Sequence, residues 1–114
     1  MHELSIATSI VEIVENNLKT YPTGKARSVT VQLGTHCGVE PSALEFCFPI
    51  AIEGTRVQGA QLILQILPLT LNCSSCLAQN VTASALQCPH CHSPEVTVVS
   101  GRDMIVTSID LDVK

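Results

Sequence analysis

CSSCLAQNVTASALQCPHC, residues 73–91, sets two C-x2-C pairs eleven residues apart. Each pair closes a tight turn that aims two sulfurs at one point, and the loop between them is too short to pack a core of its own. Four thiolates brought together in this way surround one Zn(II) ion tetrahedrally at about 2.3 Å, and metal binding contributes on the order of 10 to 16 kcal/mol of apparent folding free energy in small zinc modules. Cys73, Cys76, Cys88 and Cys91 are therefore expected to hold zinc in a ribbon. With all four positions filled by sulfur, the site is structural rather than catalytic. Iron in a rubredoxin-like knuckle and a redox dithiol are the alternatives for the same residues.

Outward from these cysteines, no Asp, Glu, Lys or Arg occurs between Arg56 and Glu95. Within that uncharged stretch, the apolar run from Ala60 to Leu67 suits a strand that is either central and buried on both faces or paired across an interface. With no charge to guard it, this strand is expected to pair between chains, giving some domain-swapped dimer. Downstream, EVTVVS and MIVTSIDLDV read as a hairpin turning at Ser100 to Asp103, with Ile105, Ile109, Leu111 and Val113 on the inner face of the last strand.

Upstream, apolar side chains at Leu4, Ala7, Val11, Val14, Leu18 and Tyr21, widened by Ile6, Ile10 and Ile13, form the stripe of a long amphipathic helix, with Pro22 to Gly24 ending it. SVTVQLG then alternates Val29, Val31 and Leu33 on one face, as a half-buried strand does. Pro41, pre-shaped for a first helical turn, opens a second helix that buries Leu44, Phe48 and Ala51 and closes at Gly54, with Pro49 bending or shortening its last turn.

At 114 residues the chain has room for one compact domain or a domain with a small appendage. Hydrophobic residues at 46% against 14% charged mark a folded chain. A net charge of −4, one Tyr and no Trp argue against a nucleic-acid partner, which needs a basic stripe and aromatic stacking platforms. A membrane role is excluded on the same charge and by the shortness of LILQILPLTL, the most apolar stretch. The N terminus carries no secretory signal pattern, which places the six cysteines in a reducing cytoplasm and turns the clustered ones toward metal. No nucleophile with its base and no open metal position is visible, so no catalytic residue is assigned. Cys47 reads as a small buried hydrophobe, and His36 and Cys37, lacking pair spacing, as structural or incidental. His90 and His92 flank a zinc sulfur, and either hydrogen-bond thiolates or face water.

The opening MHELS sets His2 beside a terminal amine. The amine, the imidazole and the first backbone amides can wrap one ion in fused chelate rings, a planar nitrogen set that suits Ni(II) or Cu(II). Together, MHEL, the segment GTHCGVEPSALEFCF from Gly34 to Phe48, the CSSC and CPHC knuckles and the closing SIDLDV resemble the HypA/HybF family of nickel metallochaperones for [NiFe] hydrogenase maturation, over essentially the whole chain.

The resemblance implies an α+β fold of two helices packed on a three-stranded sheet, with an inserted four-cysteine zinc-ribbon module. Residues 1–69, completed by strand 101–114, would form the nickel-binding domain, and residues 70–100 the zinc-binding domain. It makes His2 the nickel ligand, with backbone nitrogens near Met1, His2 and Glu3 completing the plane and the Glu3 carboxylate assisting without donating. Ni(II) is then a transferred cargo and Zn(II) a structural ion. The implied partners are a HypB-type nickel GTPase and the [NiFe] hydrogenase large subunit, with some members of the family serving urease, and the chain acting as a monomer or homodimer. The rival reading is a zinc-ribbon interaction or nucleic-acid-binding module without nickel function.

Overall fold

The computed structural model describes residues 2–112; Met1 and Val113, both assigned roles from the sequence, lie outside them. The elements follow the order α1 (Glu3–Leu18), β1 (Lys25–Gly34), α2 (Pro41–Ile52), β2 (Gln61–Leu67), β3 (Leu69–Cys73), β4 (Val81–Ala83), β5 (Val96–Ser100) and β6 (Met104–Asp112). They form two three-stranded sheets, one ordered β2-β1-β6 and the other β4-β3-β5. Two helices, a three-stranded sheet and an inserted ribbon are the architecture expected, with β6 returning to the first sheet after the cysteine module.

The chain divides into two compact units. The first holds the segment ending at Val31, residues Val39–Gln65 and the segment beginning at Ile105. Here α1 and α2 pack on each other. Ala7, Ile10, Val11, Val14 and Leu18 are the buried stripe of α1, while Leu4, in the first turn, and Tyr21, beyond the helix end at Leu18, are 49% and 43% exposed. Leu44, Phe48 and Ile52 are the buried face of α2, which runs through Pro49. Glu40 caps α2, its carboxylate accepting from the Ser42 amide and hydroxyl at 3.4 and 3.0 Å. Val29 and Val31 are fully buried on β1, the central strand, as their alternation predicts.

Where α1 ends, a residue from far along the chain completes it. The Arg56 guanidinium donates to the carbonyls of Leu18 at 3.0 Å, Pro22 at 3.1 Å and Gly24 at 2.9 Å, and to that of Tyr21. The Leu18 carbonyl lies at the negative end of the α1 dipole and the other three belong to the turn that follows, so one planar cation ties the helix end to that turn.

The second unit holds Gln32–Gly38 and Ile66–Met104. β3 is its central strand, antiparallel to β4 with Thr70 opposite Thr82, and antiparallel to β5 with Asn72 opposite Thr97. Leu33, Leu69 and Leu71 are its buried aliphatic side chains.

Three expectations are corrected. β5 and β6 are not a hairpin, since they belong to different sheets. Gly101 between them takes φ +101, and a Cβ there would lie 2.5 Å from the Leu69 Cα. The chain is thus turned at a point of close backbone approach that only glycine allows. Ile105, expected on the inner face, is 50% exposed. The run ending at Leu67 is not central either: β2 is an outer strand, with Gln61, Ile63 and Gln65 exposed and Leu62 and Leu64 half-buried.

Candidate metal centre

β3 delivers Cys73 at its end, and the two C-x2-C turns then fold alike. The Cys73 amide donates to the Ala78 carbonyl at 2.8 Å, and the Cys88 amide to the Ser93 carbonyl at 3.0 Å, each spanning five residues. Leu77 and His92, each directly after the second cysteine of its pair, have φ of 64 and 63, left-handed values that non-glycine side chains rarely take. This bend turns the next amide, of Ala78 or Ser93, onto the sulfur of Cys76 or Cys91. Ser75 and Ser93 join the two turns through hydroxyls 2.8 Å apart.

All four sulfurs lie within 4.8 Å of one another, with Cys73 to Cys91 at 3.5 Å and Cys76 to Cys88 at 3.7 Å. A tetrahedral ion with metal–sulfur bonds of about 2.3 Å needs sulfurs about 3.8 Å apart, so the donor set and its spacing fit one such ion. Two sulfurs are buried and two exposed. Among the described residues this is the group of His, Cys, Asp and Glu side chains placed to hold a metal.

The turns also polarise the thiols. The Cys91 amide, with that of His90, holds the Cys88 thiol down to about 6 against desolvation. Cys73 is lowered in the same way by the amides of Cys76 and Ser75. The second cysteine of each pair receives one amide instead of two. For Cys91 the Ser93 amide is outweighed by desolvation and by the neighbouring sulfurs, which push the thiol up to about 12. Cys76 is raised despite the Ala78 amide, by desolvation and by its hydrogen bonds with Cys88 and Cys73. Four sulfurs sharing protons cannot all ionise unless a cation replaces those protons.

The other candidate residues fall elsewhere. His90 and His92 are exposed. Cys37 and Cys47 are half-buried and outside the four-sulfur group. His36 is structural in its contacts: its ring meets the Thr35 hydroxyl and the Ser84 carbonyl, both at 3.1 Å.

At the other end of the chain, His2 is exposed in the N-cap position of α1, its carbonyl accepting from the Ile6 amide at 3.0 Å. Glu3 is the buried charged side chain among the described residues, 8% exposed. Its carboxylate accepts from the Glu40 amide at 3.2 Å, a bond that holds its pKa below the usual carboxylate value. The α1 start is therefore tied to the α2 start. Sequence reasoning uses Glu40 only as the residue ahead of Pro41; that its free N-cap amide would need an acceptor was the available signal.

No helix among the described residues is long and apolar enough to cross a membrane. A family model described as hydrogenase/urease nickel incorporation, metallochaperone, hypA matches residues 1–111. The hydrogenase maturation factor HypA of Chlorobium limicola is 36% identical over 98% of this chain and 97% of its own, and that of Nitrosospira multiformis 37% identical over 97% of each. The solution structure of the Ni metallochaperone HypA from Helicobacter pylori, 24% identical, covers all of both chains with a TM-score of 0.72, a likeness of fold. With its whole length matched at this level, the chain belongs to the HypA family of nickel-incorporation metallochaperones that serve hydrogenase maturation.

Proposed function

We propose that this chain binds Ni(II) as cargo through the His2 imidazole and backbone nitrogens near Met1, His2 and Glu3, and passes it to the large subunit of a [NiFe] hydrogenase in the cytoplasm, working with a HypB-type nickel GTPase. The observation that carries the reading is the pairing of an exposed His2 with a buried, anchored Glu3. Anchoring Glu3 fixes the backbone from which the imidazole projects, so the ligand plane is partly organised before the ion arrives. The carboxylate is already engaged by the Glu40 amide and acts through position instead of donation. The first amides of α1 have no helix carbonyl four residues back to bond. Once deprotonated they are anions at the positive end of the helix dipole, the favourable sign. Few donors come from the core, as suits an ion that must be released to a partner.

Zn(II) in Cys73, Cys76, Cys88 and Cys91 is the structural ion in this reading, neutralising thiols that otherwise compete for protons. Residues 1–69 with 101–114 serve nickel, and residues 70–100 serve zinc. The test is a nickel titration of zinc-loaded protein, followed by the absorption of square-planar Ni(II), for wild type and His2→Ala. Wild type should take up one nickel per chain, and His2→Ala should lose it with zinc content unchanged. Stoichiometric planar nickel retained by His2→Ala would overturn the assignment.

A further inference from the structure

Twice in the metal centre a sulfur pair crosses from one C-x2-C turn to the other: Cys73 lies 3.5 Å from Cys91, and Cys76 lies 3.7 Å from Cys88. Each pair sets a buried cysteine against an exposed one. Within a turn, backbone amides hold the sulfurs in place. Those of Cys76 and Ser75 point at the Cys73 sulfur, those of Cys91 and His90 at the Cys88 sulfur, and the second sulfur of each turn takes the Ala78 or Ser93 amide. Drawing the two sulfurs of one turn into a bond pulls the second off its amide and works against the left-handed bend at Leu77 or His92. Across the turns, the paired sulfurs approach by roughly 1.5 Å to reach the about 2 Å of a disulfide. The Ser75 and Ser93 hydroxyls, 2.8 Å apart, already keep the turns together.

We propose, on the reading that these residues hold zinc, that peroxide modifies the centre to two cross-turn disulfides, Cys73 with Cys91 and Cys76 with Cys88, and that the ribbon persists in this metal-free form until a dithiol reductant returns the four thiolates. Cys76 and Cys91 are the exposed sulfurs, the ones an oxidant in solvent reaches. One such thiolate attacks a peroxide oxygen, the O–O bond breaks, and a sulfenic acid forms as hydroxide leaves. The buried thiolate across the turn then displaces a second hydroxide and closes the S–S bond. Each pair so yields two electrons to one peroxide, and two protons from solvent turn the hydroxides into water. With all four thiolates consumed by two peroxides, no anionic donor remains for a dication. The nearby partner also intercepts the sulfenic acid before further oxidation. Each disulfide joins one turn to the other, so the links constrain the chain as the ion did. Attack of a dithiol on these bonds reverses both by exchange.

The test uses the full zinc-loaded chain, its zinc content measured first. Hydrogen peroxide is added stepwise with air excluded, and released zinc is read with a chromogenic chelator. Disulfides are mapped by mass spectrometry after proteolysis between the two C-x2-C pairs, with fragmentation of the linked peptides. About two peroxides per chain should release the zinc and link Cys73 with Cys91 and Cys76 with Cys88. Amide dispersion of the ribbon in NMR spectra should persist in this oxidised form and collapse in the chelator-stripped, reduced one. Dithiothreitol should restore zinc uptake. Any other pairing, sulfinic acids without an S–S bond, zinc retained in a large excess of peroxide, dispersion lost on oxidation, or a form that reductant fails to reload each overturns the proposal and leaves the zinc assignment standing. A chain that takes up no zinc overturns that assignment, and this inference with it.

Discussion

Replacing Arg56 with Met removes the guanidinium that gathers the chain end of α1 while keeping most of the stem's apolar volume. Four carbonyls lose the guanidinium. Those of Leu18 and Tyr21 keep the amides of Tyr21 and Gly24 as donors, both at 2.9 Å, and that of Pro22 belongs to an exposed residue and rehydrates at little cost, whereas Gly24 is buried. Leaving a buried carbonyl unsatisfied costs about 1–3 kcal/mol, so this group gives about 2 kcal/mol. In a chain of this size, that lowers Tm by roughly 8 °C. Arg56→Lys retains a charge near the helix C-terminus but cannot span the carbonyls with a planar fork, and is expected to recover about half of the loss. Thermal melts of zinc-loaded wild type and both variants, followed at 222 nm, measure the effect. A Met variant melting within about 2 °C of wild type would show that water replaces the guanidinium at all four carbonyls, and that α1 needs no distant cap.

Gly101→Ala places a Cβ 2.5 Å from the Leu69 Cα at a φ of +101; a loss of about 3–5 kcal/mol is expected, read as collapse of ribbon chemical-shift dispersion in NMR spectra. Stripping the metal, or replacing any of Cys73, Cys76, Cys88 or Cys91 with Ser, should loosen the cysteine unit while helical circular dichroism persists; loss of both together would contradict a separately organised ribbon. Zinc loading at neutral pH should release protons, chiefly from Cys91 and Cys76, whose thiols are raised, and should weaken steeply below about pH 6, where Cys88 is protonated as well; calorimetry in buffers of different ionisation enthalpy counts the protons. The lowered Glu3 pKa contributes stability above the ordinary carboxylate range, and that contribution is lost as pH falls through the folded value. Glu3→Gln should accordingly flatten the acid limb of the Tm-against-pH curve, and an unchanged limb would place the acid sensitivity elsewhere.

The cysteine centre was legible because its chemistry is local. Two residues between sulfurs set the bite of each turn, and the rest of the fold only has to bring two turns together. The periodicities of α1 and of Val29, Val31 and Leu33 were legible for the same reason, since each element buries one face and the face is written in the spacing. His2 could be singled out as a candidate nitrogen donor from its position alone, but the bond beside it, from the Glu40 amide to the Glu3 carboxylate, spans 37 positions.

What the sequence by itself determined, then, are the two helices, the strands β1, β2, β5 and β6, the four-sulfur cluster and the candidate donor at the start of α1. Tertiary structure alone decided the pairings: that β5 joins β3 while β6 joins β1, that an apolar run becomes an outer strand, and that Arg56 caps a helix 38 residues upstream. An apolar alternating segment reads the same wherever it pairs, because strand propensity is a property of the segment, whereas its partner is chosen by which backbone groups remain unpaired when the chain has closed on itself. Gly101 turns that choice at a single residue. Its left-handed φ and close approach to Leu69 send the chain out of one sheet and into the other, and neither is visible until Leu69 is there to be approached.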